Sequence, residues 1–61
     1  MNDHSIGDRV KIIDHRKGYF GKEGKIIKIS DVKGISIKLY TVEFDDGTEE
    51  KELMAGDFKK I

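Results

Sequence analysis

The chain has 61 residues, which is enough for one domain with a small core but leaves no room for a second domain or a large internal active site. Its 12 Lys and Arg balance its 12 Asp and Glu, and the absence of cysteine excludes a disulfide framework and cysteine-based metal or redox chemistry. No apolar run has the length of a signal peptide core or a membrane span, so we expect a cytoplasmic protein that does not enter the membrane.

The apolar residues are of the kinds that favour β-strands. Ile, Val, Phe and Tyr make up 17 of the 22 hydrophobic residues, and such side chains fit a pleated surface but lose rotamer freedom in helices. Seven glycines and no proline indicate several turns. Charge is uneven: residues 1–38 hold nine basic and five acidic residues (+4), whereas residues 39–61 hold three and seven (−4). This distribution predicts a bipolar surface.

The first half of the chain predicts two strands joined by a long loop. Residues 1–6 are mostly polar, and we expect them to be disordered. Polar and apolar residues then alternate in a way that predicts a strand at 9–13. Residues 14–21 contain two glycines and no sustained period, which predicts a loop longer than a simple hairpin needs. A second strand is predicted at 25–30, where the isoleucines break alternation and indicate a bulge or a strand shared by two faces.

The middle of the chain predicts a hairpin. Residues 31–34 are a turn candidate, and apolar residues recur throughout 35–44, at odd positions first and at even positions later. A single flat strand cannot bury both sets, so we expect either a bend near Leu39 or an outward-facing first half. Asp46 and Gly47 form the clearest turn signal, because an Asp-Gly pair supplies the positive φ values of a tight primed turn.

The last part of the chain predicts two more strands. Residues 48–53 are highly charged, as expected of an edge strand protected from aggregation. A helix at 48–55 is the competing interpretation, because several of these residues are good helix formers, although so short a helix is marginal. Residues 53–57 predict one turn of 3₁₀ helix. A fifth strand is predicted at 58–61.

These elements occur in the order found in SH3-like barrels: five short strands, a long first loop, an Asp-Gly hairpin and a one-turn connector before the last strand. We therefore expect an all-β, five-stranded SH3-like barrel with one short 3₁₀ turn before the last strand, forming a single domain over residues 1–61. Residues 6–30 also resemble the KOW motif of ribosomal proteins and transcription elongation factors. The residues that carry this resemblance are Gly7, Asp8, Arg9, Val10, Lys11, Ile12, Ile13, Gly18, Gly21, Gly24, Lys25, Ile26 and Ile29.

KOW domains bind RNA or protein partners of the transcription and translation machinery, so the resemblance implies a non-catalytic binding module. The chain departs from the ribosomal members in its zero net charge and in the acidic run at 43–52. The later part, residues 40–44 with Asp46-Gly47 and the closing residues 58–61, is more generally similar to the SH3-like barrels of Tudor domains and photosystem subunits.

The first binding hypothesis is nucleic acid, with RNA preferred. Cations can position a phosphate backbone while an aromatic ring stacks on a base. In the loop we favour Tyr19 as the stacking ring and Phe20 as a core residue. The candidate nucleic-acid-binding residues are Arg16, Lys17, Tyr19, Lys22, Lys25 and Lys28.

The second hypothesis, of about equal weight, is a protein partner. Apolar residues of the segment 35–39 would form an exposed patch if that half-strand faces outward, whereas a bend in the barrel would bury them. The acidic strand is a further candidate surface for a basic partner. The candidate protein-interaction residues are Tyr40, Glu49, Glu50 and Glu52.

Catalysis and metal binding have little support in the sequence. The two histidines, His4 and His15, have no cysteine to activate, and no serine lies in a nucleophile motif. Two separated histidines do not make a metal site, and five aromatic residues are too few to supply both a core and an aromatic cage. We expect a monomer that is not an enzyme and uses no cofactor.

Overall fold

A computed structural model gives the structure of residues 4–61. The described residues form five strands and one short 3₁₀ turn, without an α-helix, which confirms the all-β prediction and excludes the helix considered at 48–55. The strands are β1 (Arg9–Ile12), β2 (Glu23–Asp31), β3 (Lys38–Phe44), β4 (Glu49–Leu53) and β5 (Phe58–Lys60), and the 3₁₀ turn (Ala55–Asp57) directly precedes β5.

The predicted disorder of residues 1–6 stays a prediction. Residues 1–3 lie outside the described part of the chain. The ring of His4 lies edge-on against the rings of Tyr40 and Phe58, with centroids 5.5 and 4.9 Å away. Ser5 begins a turn in which its backbone N–H donates to the Asp8 carboxylate at 2.9 Å.

The strands form one antiparallel sheet in the order β4-β3-β2-β1-β5. The nine-residue β2 is its centre, since its first three residues pair with β1 and nearly its whole length pairs with β3. The register shifts between Ile26 and Lys28, which confirms the predicted bulge in this strand. Within residues 4–61, β4 and β5 are the two edges of the sheet and no ladder joins them.

The core lies on one face of the sheet and contains only hydrophobic side chains. In β1 and β3 the buried residues occupy alternate positions, as the period of a strand requires. Tyr19 and Ile29 pack against this core from outside it. The buried residues are Val10, Ile12, Ile26, Tyr40, Val42, Phe44, Leu53 and Phe58.

The start of β3 explains why the apolar residues within 35–44 change from odd to even positions. It begins at Lys38, three residues later than the predicted apolar run, and buries the even-numbered residues. Gly34, with a φ of 90°, lies in the turn that follows β2. Ile35 and Ile37 therefore belong to the connecting loop and are 57% and 36% exposed. Of the two predicted alternatives, the outward-facing first half is confirmed, and a bend that buries Ile35 and Ile37 is excluded.

The hairpin between β3 and β4 lies where the sequence predicts it, but its turn is of a different type. Only Gly47 has a positive φ (90°), whereas a primed turn would require one at Asp46 as well. The Gly47 N–H donates to the Phe44 carbonyl at 2.9 Å, and the Phe44 N–H donates to the Thr48 carbonyl at 2.7 Å. The Asp46 carboxylate accepts from the Thr48 N–H at 3.0 Å and from its hydroxyl at 2.6 Å, which stabilises the unprimed turn.

Candidate binding surfaces

The first loop, residues 13–22 between β1 and β2, exposes a different aromatic ring from the expected one. Tyr19 is half-buried against the Phe44 ring, with centroids 5.6 Å apart, and desolvation by burial raises the pKa of its hydroxyl. Phe20 is 48% exposed and stacks on the His15 ring at 4.3 Å with 25° between the ring planes. The placement of Phe20 in the core was therefore wrong, because the loop turns the neighbouring Tyr19 inward instead.

Two of the predicted cations in this region already contact carboxylates. The Arg16 guanidinium lies 3.0 Å from Asp14, and its hydrogen bonds lower the pKa of that carboxyl group to about 2. The Lys22 ammonium lies 2.7 Å from Asp46, and together with the bonds from Thr48 it holds the pKa of Asp46 well below its usual range. These contacts place a negative charge beside each of the two positive charges.

A third ion pair extends this pattern to the neighbouring strand. The Arg9 guanidinium donates two hydrogen bonds, of 2.7 and 2.9 Å, to the two oxygens of Asp45. Glu23 lies 3.8 Å from the same guanidinium. Sequence analysis missed this pairing because 36 residues separate Arg9 from Asp45 along the chain. The surface beside the first loop is thus a set of paired opposite charges rather than a basic patch.

The remaining predicted cations are exposed or half-buried but do not converge. Within residues 4–61, Lys17, Lys25 and Lys28 form no ion pair. Lys17 lies in the first loop, whereas Lys25 and Lys28 lie on β2 at either side of its bulge. Lys25 is also directly opposite Glu43 of β3. The structure therefore spreads the candidate nucleic-acid-binding residues over two regions.

The candidate protein-interaction residues also separate. Tyr40 is only 5% exposed, and its ring meets that of Phe58 edge-on at 5.3 Å, so it is a core residue and not an exposed interface ring. Glu49 and Glu52 are exposed on the edge strand β4, and Glu50 is half-buried opposite Val42. The glutamates thus form a charged strand that protects the sheet edge.

A concave surface of about 520 Å³ lies between the β2–β3 loop and the 3₁₀ turn. We call it the isoleucine groove, after the exposed Ile37 on one wall. Ile35 lies on the same loop and is also exposed. Met54, which is 48% exposed, lies on the other wall. The lining residues are His4, Ser36, Ile37, Lys38, Tyr40, Met54, Ala55 and Gly56.

Sequence analysis identified one wall of this groove and missed the other. In the sequence, the apolar segment 35–39 is a candidate patch, whereas Met54 falls within the connector predicted at 53–57. The feature that points to Met54 is the apolar run 53–55 before Gly56, because an exposed turn does not require apolar side chains. The Asp57 carboxylate accepts the Met54 N–H at 2.9 Å and so fixes the start of the turn.

Two other features, a metal-binding cluster and a membrane-spanning helix, are absent from the described residues. Among residues 4–61, no three His, Cys, Asp or Glu side chains are grouped as a metal ion would require. No helix in this part of the chain has the length and apolar character needed to cross a membrane. Comparisons of the chain with models of protein families, with curated proteins and with solved structures give no match.

Proposed function

We propose that the chain is a non-catalytic binding module with an SH3-like barrel fold. The sheet order β4-β3-β2-β1-β5 supports this, because the central, bulged β2 then contributes to both halves of a barrel whose outer strands are β4 and β5. The one-turn connector before β5 supports it as well. In this proposal β4 and β5 approach each other through side chains rather than through hydrogen bonds.

We propose further that the module binds a protein through the isoleucine groove. The observation that carries this proposal is the exposure of Ile37 and Met54 on the walls of one concave surface, with the exposed Ile35 on the same loop as Ile37. Apolar side chains in water gain about 25 cal/mol for each Å² that a partner covers, and clustered exposed apolar residues often mark interfaces. The core is formed by eight other hydrophobic residues, and these three lie outside it.

The charge pattern favours protein over nucleic acid as the partner. Affinity for a phosphate backbone rises with the number of cations that contact it and the counterions they release. Arg9, Arg16 and Lys22 each have a carboxylate within 3.0 Å, and the net charge of the chain is zero. A nucleic acid approaching this surface would meet the carboxylates together with the cations.

The test is selection from a phage-displayed library of random 12-residue peptides, with the full chain as bait. We expect the parent to select peptides and the double variant Ile37→Asp/Met54→Asp to retain fewer than a tenth of them. The matched control is Ile6→Asp/Ile61→Asp, which changes two isoleucines that are 65% and 52% exposed and do not line the groove. Equal loss in both double variants, or no selection by the parent, would contradict the proposal.

A second candidate function, single-stranded RNA binding, is favoured by the exposed Phe20 ring. This ring lies in the same loop as the cations Arg16 and Lys17, and stacking on it could contribute about 1–3 kcal/mol per base. Titration with a short mixed-sequence RNA at low and physiological salt would test it. The function predicts salt-sensitive binding that is lost in Phe20→Ala and in Lys17→Glu/Lys25→Glu. Binding that survives both changes would place the RNA elsewhere.

A further inference from the structure

We infer that the isoleucine groove binds an extended peptide in which an aliphatic side chain lies next to a carboxylate. This inference rests on the proposed function and specifies the chemistry of its partner. The aliphatic side chain would lie between Ile37 and Met54, and the carboxylate would pair with the ammonium group of Lys38. The volume of about 520 Å³ falls within the range of about 300–1,000 Å³ of small-ligand sites, which suits one or two side chains of a peptide.

The groove is lined by one lysine that forms no ion pair within residues 4–61. Lys38 is the one charged residue other than a histidine among those that line it. Lys33 lies on the same loop and is exposed. Within residues 4–61, neither lysine forms an ion pair, although Asp31 is the strand partner of Lys38. An incoming carboxylate would therefore meet a cation without having to displace an existing partner.

The opposite wall does not offer a competing negative charge. It consists of Met54, Ala55 and Gly56, which are uncharged. The nearest acid along the chain is Asp57, which does not line the groove and whose carboxylate accepts the Met54 N–H at 2.9 Å within the turn. A basic peptide would instead be attracted to the glutamates of β4, which do not line the groove. The groove thus combines apolar walls with one cation at its rim.

The sequences selected from the peptide library provide the first test. We expect Asp or Glu within two positions of Leu, Ile, Met or Phe in most peptides that compete with one another for the groove. Synthetic versions of one such peptide, with its acidic residue kept, replaced by Gln, or replaced by Lys, provide the second. Fluorescence anisotropy at about 50 mM salt suits this comparison, because higher salt screens exposed charges.

Reversal of the charge of Lys38 should reverse the preference of the groove for the acidic peptide over the Lys-containing one. We expect Lys38→Glu to weaken binding of the acidic peptide about tenfold, since it replaces attraction with repulsion, and to make the Lys-containing peptide the tighter binder. The control Lys59→Glu changes an exposed lysine of β5 that does not line the groove, and it should alter affinity less than about twofold.

The outcomes separate this inference from the proposed function. Peptides that bind in the groove without an acidic preference, or with an affinity that Lys38→Glu changes less than about twofold, would overturn the inference and leave the protein-binding function standing. If no selected peptide depends on Ile37 and Met54, the function fails and the inference fails with it. Dimerisation of the parent that Ile37→Asp/Met54→Asp abolishes would identify a second copy as the occupant and would also overturn the inference.

Discussion

Gly24 allows a close approach between β2 and β3, and its replacement by alanine should destabilise the fold severely. Gly24 is buried in β2 and is paired with Val10 on one side and Phe44 on the other. A Cβ atom there would lie 2.8 Å from the Phe44 Cα and closer still to the carbonyl oxygen of Glu43. Both neighbours are backbone atoms within a hydrogen-bonded ladder, so they cannot move aside as a flexible side chain would.

The expected cost of Gly24→Ala follows from this geometry. Overpacking a core costs about 1–3 kcal/mol where side chains can adjust, and we expect at least about 3 kcal/mol here because β2 and β3 must separate. A domain of this length has a free energy of unfolding of about 3–9 kcal/mol. The variant should therefore be largely unfolded, or should lose at least a third of its stability, in urea denaturation followed by circular dichroism.

Gly18→Ala is the matched control for this experiment. Gly18 lies in the first loop, its φ is not positive, and a Cβ there would meet nothing within 4 Å. The control should stay within about 1 kcal/mol of the parent and could be slightly more stable, since alanine restricts the unfolded chain. If Gly24→Ala were as stable as Gly18→Ala, the pairing of β2 with β3 at this position would be wrong.

Two further changes test the hairpin between β3 and β4. Glu52 has a φ of 59° at the register shift between these strands. Glu52→Gly should therefore raise the free energy of unfolding by about 1 kcal/mol, whereas Glu52→Ala should not. Equal effects of the two substitutions would exclude backbone strain at this residue. The pKa of Asp46 is lowered in the folded state by Lys22 and Thr48. The ionised Asp46 carboxylate therefore stabilises the fold above about pH 4, and this contribution is lost as the pH falls further. The urea midpoint of Asp46→Asn should accordingly lie below that of the parent at pH 7, and the difference between the two midpoints should narrow below about pH 4. A difference independent of pH would refute the stabilising role of the ionised Asp46 carboxylate.

Local patterns in the sequence predicted most of the strands. Alternation located β1, and the broken alternation in β2 predicted its bulge. The Asp-Gly pair located the hairpin, because glycine was needed where the chain adopts a positive φ. The type of turn was not predictable from that pair alone, since the side chain of Asp46 bonds to Thr48 and favours the unprimed form.

The candidate sites were harder to predict because they depend on long-range contacts. Arg9 and Asp45 are 36 residues apart, and Lys22 and Asp46 are 24 apart, so no local pattern shows that these charges are paired. The first loop has no period, and the choice between Tyr19 and Phe20 as the buried ring depends on where Phe44 lies. A count of basic residues therefore overestimated the free positive charge.

The isoleucine groove shows a different limit of sequence reading. The change of parity within 35–44 left two possibilities, and only the start of β3 at Lys38 decides that Ile35 and Ile37 lie outside the core. Met54 then reaches the same groove because the 3₁₀ turn follows β4 directly. The segments 36–40 and 54–56, at least 14 residues apart along the chain, thus form one surface, which no single stretch of sequence specifies.

The most direct test of the proposed binding surface is an amide NMR titration of the labelled chain with a peptide selected as described above. The account predicts shifts concentrated at residues 36–40 and 54–56, together with loss of binding in Ile37→Asp/Met54→Asp while the dispersion of the folded spectrum is retained. Shifts concentrated at residues 14–28 instead, with the groove resonances unmoved, would contradict the account and would identify the first loop and β2 as the binding surface.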